Sequence, residues 1–282
     1  MMSWPPVSLR SWAGRGRAAR CVGLVAALLL LCVPADGTAQ VLVRSSLSMD
    51  EEASPGGTYQ GTIELYNEDD TLRSAEVSLR DYLFTGEGET EYADPGSHER
   101  SNAEWVDYES SVVSVPPQEE AEVQFEVQVP EDIDGAEPTG TYWSMLMVRP
   151  LGQGTGPSPD QGVAVRQIRR YGIQVATHLP GGEPTLEVQS TEVTEEGDES
   201  TLEVGLENTG TRMANTRLRL ELYDDAGELV RDEEASSRRL YPGTSAQYQL
   251  PLSGVEAGDY EALLILNPDP GETRGVQYTL EL

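Results

Sequence analysis

Lysine is absent from this chain of 282 residues: all 19 of its basic side chains are arginine, set against 49 acids and only two histidines. Cysteine is nearly absent as well. Its two copies, Cys21 and Cys32, lie in the first 39 residues, so the remainder can form no disulfide, no thiolate zinc site and no cysteine nucleophile, and its stability must come from packed cores. Neither of the histidines, His98 and His178, has a nucleophile or partner carboxylate in a recognisable motif. There is no Gly-x-Ser-x-Gly, no His-Glu-x-x-His and no phosphate loop. A non-enzymatic protein without a cofactor is the reading these absences favour. Long apolar runs are missing beyond the N-terminus, and no segment has the periodicity of an amphipathic helix of three turns.

What is present begins with a processing signal. Arg10, Arg15, Arg17 and Arg20 precede the apolar run Cys21 to Val33, and Gly37-Thr-Ala39 offers small residues before Gln40. This pattern reads as a cleaved signal peptide over 1–39, with no membrane span in the mature chain and delivery to the periplasm or cell surface. The formal net charge is −30, and removing a leader with four arginines and one acid makes it more negative. A surface so acidic repels itself in dilute buffer and is screened at molar salt, where the Debye length is about 3 Å. The charge reads as adaptation to high salt and argues against a nucleic-acid partner. Two oxygen-rich loops, Glu68-Asp-Asp70 and Asp132-Ile-Asp134-Gly135, raise calcium as a partner. Neither completes an EF-hand ligand series, which leaves a solvated acidic surface as the preferred reading.

The organisation is read from a repeat. Ile63-Glu-Leu-Tyr-Asn67, Val112 to Phe125 and Gly140-Thr-Tyr142 return as Val204-Gly-Leu-Glu-Asn208, Leu240 to Leu250 and Gly258-Asp-Tyr260. Placing Pro117 on Pro242 also places Ala121 on Ala246 and Phe125 on Leu250. About seven short strands fall in each copy, and Ala121 to Val129 alternates apolar and polar residues as a half-buried antiparallel strand does. The expected fold is all-β: two consecutive immunoglobulin-like antiparallel β-sandwich domains, over 40–179 and 185–282, joined by a linker at 180–184. Tyr142 and Tyr260 stand where a tyrosine corner belongs, or are ordinary core tyrosines. Gly86 to Asn102 and Leu151 to Gly162 read as mobile loops.

The segment Val163 to Val175 is a long alternating strand that carries Arg166, Arg169 and Arg170. Two readings stand. The strand is interior and its arginines neutralise acidic neighbours, or part of it is an edge that pairs with a strand of another protein while an arginine holds a carboxylate. In the second case Val163, Val165 and Ile173 fill or offer side-chain pockets.

Ser54-Pro-Gly-Gly-Thr58, Asn67, Trp105-Val106, Val115-Pro-Pro-Gln118, Val129-Pro130 and Gly140-Thr-Tyr142 together resemble the first domain of fimbrial periplasmic chaperones. They are similar also to the immunoglobulin-like surface proteins that accompany WxL proteins. The resemblance covers Val41 to Thr177 and implies a two-domain exported protein that engages an exported client or surface protein by strand pairing. It also implies a basic pair on the first and last strands, here Arg44 with one of Arg166, Arg169 or Arg170. The chain departs from the chaperones in lacking the last-strand lysine. The alternative function is a structural or adhesive cell-surface component of a halophile.

Overall fold

The computed structural model describes residues 41–151, 169–197 and 199–282, and every described element of length is a strand. The first sandwich is built from β1 (Val41–Val43), β2 (Ser48–Glu52), β3 (Thr58–Asn67), β4 (Arg73–Phe84), β5 (Thr90–Ala93), β6 (Val106–Tyr108), β7 (Val112–Val115), β8 (Glu120–Gln128), β9 (Gly140–Leu151) and β10 (Tyr171–Leu179). One sheet runs β1-β3-β8-β6, and the other runs β2-β10-β9-β4-β5 with β7 also on β4. The two faces meet in a core that includes Ile63, Leu65, Val123, Phe125, Leu146, Val148, Ile173 and Val175. In β8 the inward positions Val123, Phe125 and Val127 are buried between more exposed neighbours, as the alternation of its sequence requires.

The second sandwich repeats the plan. It comprises β11 (Leu186–Glu196), β12 (Glu199–Asn208), β13 (Ala214–Tyr223), β14 (Leu229–Glu234), β15 (Arg238–Leu240), β16 (Ser245–Pro251), β17 (Asp259–Asp269) and β18 (Arg274–Glu281). Its sheets are β11-β12-β16 and β14-β13-β17-β18, with β15 also on β13. The fold is therefore all-β, two consecutive immunoglobulin-like sandwiches.

The repeat has an atomic basis in two buried asparagines. At the end of β3, Asn67 Nδ2 donates to the carbonyls of Thr71, Val115 and Pro116 at 2.8 to 3.1 Å. At the end of β12, Asn208 Nδ2 donates to the carbonyls of Arg212 and Leu240 at 2.8 and 3.0 Å. Each amide oxygen in turn accepts a backbone N–H two residues on, from Asp69 and Gly210. A short planar side chain with both donors and an acceptor satisfies a turn and a neighbouring strand at once. The two tyrosines differ. Tyr260 Oη donates to the Glu256 carbonyl at 2.8 Å, the bond of a tyrosine corner, whereas Tyr142 packs its ring 4.7 Å from that of Trp105.

Residues Thr38 to Leu282 form one compact unit, and β9 is the element that makes the two sandwiches meet. Seven consecutive residues from Gly140 to Leu146 are buried, a pattern only a strand covered on both faces produces. Leu146 and Val148 serve the first core, while Trp143 faces across the junction and stacks on Tyr241 with ring centroids 4.8 Å apart. The backbone N–H of Thr141 donates to the Thr211 carbonyl at 2.9 Å. Gly140 lies beside that same carbonyl at φ +77°, and any Cβ there would collide with the Thr211 oxygen.

Candidate functional site

β10 has one complete side and one incomplete side. Antiparallel β9 pairs with it along its whole length, from Tyr171↔Val148 to Leu179↔Gly140. On the other side β2 pairs in parallel, but only from Gln174↔Ser48 to His178↔Glu52. Among the described residues, Tyr171 to Ile173 therefore carry no partner strand on the β2 side. The Gln174 N–H already points that way, donating to the Leu47 carbonyl at 2.9 Å. Alternation along a strand then turns the Gly172 N–H toward the same open side. Gly172 has a steric reason to be glycine, because the Met145 sulfur occupies the space a Cβ would take.

The candidate residues read from the sequence separate accordingly. Val163, Val165 and Arg166 lie outside the described residues. Arg169 and Arg170 are exposed just ahead of β10. Ile173 is fully buried in the first core, so its side chain packs inward and only its stretch of backbone borders the open edge. Arg44 follows β1, on the opposite sheet from β10. Its Nη1 pairs with Glu120 at 2.5 Å, and its guanidinium lies 3.5 Å above the centroid of the Tyr66 ring. It is committed to its own sheet.

Beside the paired half of β10 lies a polar cluster that spans the junction and that no motif announces. His178, only 7% exposed, sits between Thr141 Oγ1 at 2.9 Å from Nδ1 and Asp50 Oδ1 at 3.4 Å from Nε2. Thr141 Oγ1 also accepts the Met213 N–H from the second sandwich at 3.0 Å. Arg239, on β15, donates to Ser48 Oγ at 2.6 Å and pairs with Asp50 at 3.0 Å. The Asp50 carboxyl is held below its ordinary value, first by the hydrogen bond from His178 and then, against the cost of burial, by the charge of Arg239. Burial pushes the Tyr241 phenol up to about 12, so it stays neutral. Ser48 and Arg239 lie 191 positions apart, too far for sequence spacing to reveal.

A second cluster holds the types of a nucleophilic triad without its geometry. Asp81 is fully buried. Its Oδ2 accepts from the Ser97 N–H and the His98 N–H at 2.6 and 3.1 Å, and its Oδ1 accepts from Ser101 Oγ at 2.6 Å. His98 Nδ1 accepts the Arg100 N–H at 3.2 Å, and the ring lies 4.4 Å from that of Trp143. Among the described residues the histidine meets no serine hydroxyl, and the hydrogen bonds to Asp81 anchor a loop. The expectation of a mobile segment from Gly86 to Asn102 is corrected here. β5 pairs with β4, and the buried Asp81 carboxylate gathers the loop that follows. Among the described residues no group of three or more His, Cys, Asp or Glu side chains is arranged to hold a metal. Asp69, one of the acids that raised calcium, is bound by Arg73, which takes its carboxyl down to about 2.

No protein-family model matches this chain, and no curated protein matches it. Among solved structures, it is similar to a chain of the chaperone–tip adhesin complex of CFA/I fimbriae, at 11% identity and a TM-score of 0.48 over 86% of this chain and 98% of that one. It is similar to the class 5 fimbriae chaperone CfaA at 10% identity and a TM-score of 0.47, over 86% and 100% of the two chains. The Escherichia coli chaperone DraB is similar at 12% identity and a TM-score of 0.38, over 86% and 98%. These are resemblances of fold to fimbrial periplasmic chaperones.

Proposed function

We propose that this chain is an exported, non-enzymatic protein that works in the periplasm as a chaperone-like or assembly factor, engaging an exported client by strand pairing along the open edge of β10. The observation that carries this reading is the incomplete parallel pairing: among the described residues β2 stops opposite Gln174, and Tyr171 to Ile173 continue beyond it with β9 on one side only. A client strand laid against that edge would extend the sheet from the end of β2, with main-chain hydrogen bonds supplying affinity. Arg169 and Arg170, exposed immediately upstream, are placed to meet a carboxylate on such a strand. Val163, Val165 and Arg166 belong to the same proposal as its upstream part.

The test is capture of a client from the native envelope at its working salt, followed by amide exchange on the complex. Protection of the Gly172 N–H on client binding, together with loss of capture in Arg169→Glu/Arg170→Glu at unchanged melting temperature, is the expected result. A complex in which Gly172 exchanges as fast as in the free protein would overturn the reading.

A further inference from the structure

A groove of about 520 Å³ opens on the second sandwich's side of the β4–β5 hairpin, away from the open edge of β10. Its first wall is aromatic. Tyr82 and Phe84 line it from alternate positions of β4 with ring centroids 5.5 Å apart, and Tyr92, opposite Tyr82 on β5, continues the row past the groove's rim at a further 5.5 Å. Phe84 also packs on the core of the second sandwich, so the shelf is bolted down at one end, while Tyr92 is 53% exposed at the other. In a chain with only 6% aromatic residues, a row of rings that runs from half-buried Phe84 and Tyr82 to an exposed Tyr92 is an unexpected use of them.

The opposite wall is polar. Gln247 and Gln249 on β16 each donate an amide N–H to Glu203, at 3.4 and 3.2 Å, which leaves their amide oxygens as acceptors. Arg238 and Arg239 stand side by side on β15. Arg239 is spent on Asp50, but among the described residues Arg238 makes no ion pair, although acids outnumber arginines more than twofold in this chain. Its nearest aromatic neighbour is Tyr248, whose ring centroid lies 5.8 Å away.

The walls are held in fixed relation. The Gly86 N–H donates to Ser245 Oγ at 2.8 Å across the groove floor, the Thr85 N–H closes the hairpin on the Glu89 carbonyl at 3.0 Å, and Trp143 Nε1 donates to the Tyr82 carbonyl at 2.8 Å. A site whose ordering cost is met in the fold binds without paying it again.

We propose that this groove binds a short acidic saccharide of the uronate class. The flat shelf suits the C–H face of a pyranose ring, which stacks on aromatic surface without needing a deep pocket. The planar amides and the guanidinium fork suit vicinal hydroxyls and a carboxylate. The negative charge is called for by Arg238, which makes no ion pair among the described residues, in a lining that holds two arginines against the single acid Glu89. The proposal is independent of the strand-pairing site on β10.

The protein is titrated with tetramannuronate, with the uncharged cellotetraose and with a tetraglutamate peptide, following heat and tryptophan fluorescence. Saturable binding of tetramannuronate is expected, with cellotetraose weaker by about tenfold or more. Tyr92→Ala and Arg238→Ala are each expected to weaken it by about tenfold at unchanged melting temperature. Absence of saturable binding, or affinity indifferent to both variants, would overturn the proposal. Equal affinity for cellotetraose would overturn the acidic class, and tighter binding of tetraglutamate would assign the groove to an acidic peptide instead.

Discussion

At the scale of single residues, the structure rests on short polar side chains that satisfy several backbone groups at once. Asn208 exchanges hydrogen bonds with Arg212, Leu240, Gly210 and Thr185 from a fully buried position. Removing one partner of a buried network leaves the others unpaired, at about 1–3 kcal/mol per orphaned group. Asn208→Ala is therefore expected to cost about 3 kcal/mol or more in denaturant unfolding, and a loss under about 1 kcal/mol would contradict the role assigned to it. His98 supplies the pH dependence. Burial depresses its ring below the ordinary 6.5, so the folded state binds its proton less readily than the unfolded chain does. Its contribution is present above pH 6.5 and is lost as pH falls from 6.5 through the folded value. Melting temperatures from pH 8 to 5 are expected to fall more steeply for the native protein than for His98→Asn, about which the remaining titrations are common.

At the scale of elements, β10 divides among the described residues into a half paired on both sides and a half paired on one, and substitutions should report the division. Ile173 is fully buried between the sheets, so Ile173→Ala is expected to cost about 2–5 kcal/mol. Arg170→Glu, at an exposed position before the strand, should leave stability within about 0.5 kcal/mol. Equal and large losses for both would mean that the approach to β10 is packed rather than open. The meeting of β9 with the second sandwich depends on Gly140, where both the positive φ and the Thr211 oxygen exclude a side chain. Gly140→Ala is expected to split one calorimetric transition into two, because the junction bonds to Thr211 and Met213 would be pushed apart. A single transition in that variant would show that the sandwiches are coupled elsewhere.

At the scale of the whole molecule, charge dominates. The chain's net charge of −30, with four arginines and only one acid in its first 39 residues, leaves the two sandwiches more negative still and raises the energy of the compact state in dilute buffer, and ion pairs relieve it only locally. Arg219 illustrates the limit: it serves both Glu221 at 2.9 Å and Asp232 at 2.7 Å. The melting temperature is expected to climb steeply from low to molar salt as the Debye length contracts from about 30 Å toward about 3 Å. A flat profile would remove the basis for reading the acidity as salt adaptation.

The sequence by itself determined the class and the duplication of the fold, because both are local properties. Period-two alternation in Ala121 to Val129 dictates a half-buried strand, and the paired asparagines, prolines and Gly-x-Tyr units dictate two copies of one plan. What tertiary structure decided are the sites, since each is assembled from residues far apart in the chain. Asp50, His178 and Arg239 converge across 189 positions, and Tyr82 comes to face Gln247 only because β4 and β16 belong to neighbouring sandwiches. Among the described residues, the one-sided pairing at Gly172 is decided by where β2 stops pairing, a register that no spacing of side chains encodes. Strand propensity is set by each residue and its neighbours, whereas which edge is left without a partner depends on how every other strand is placed.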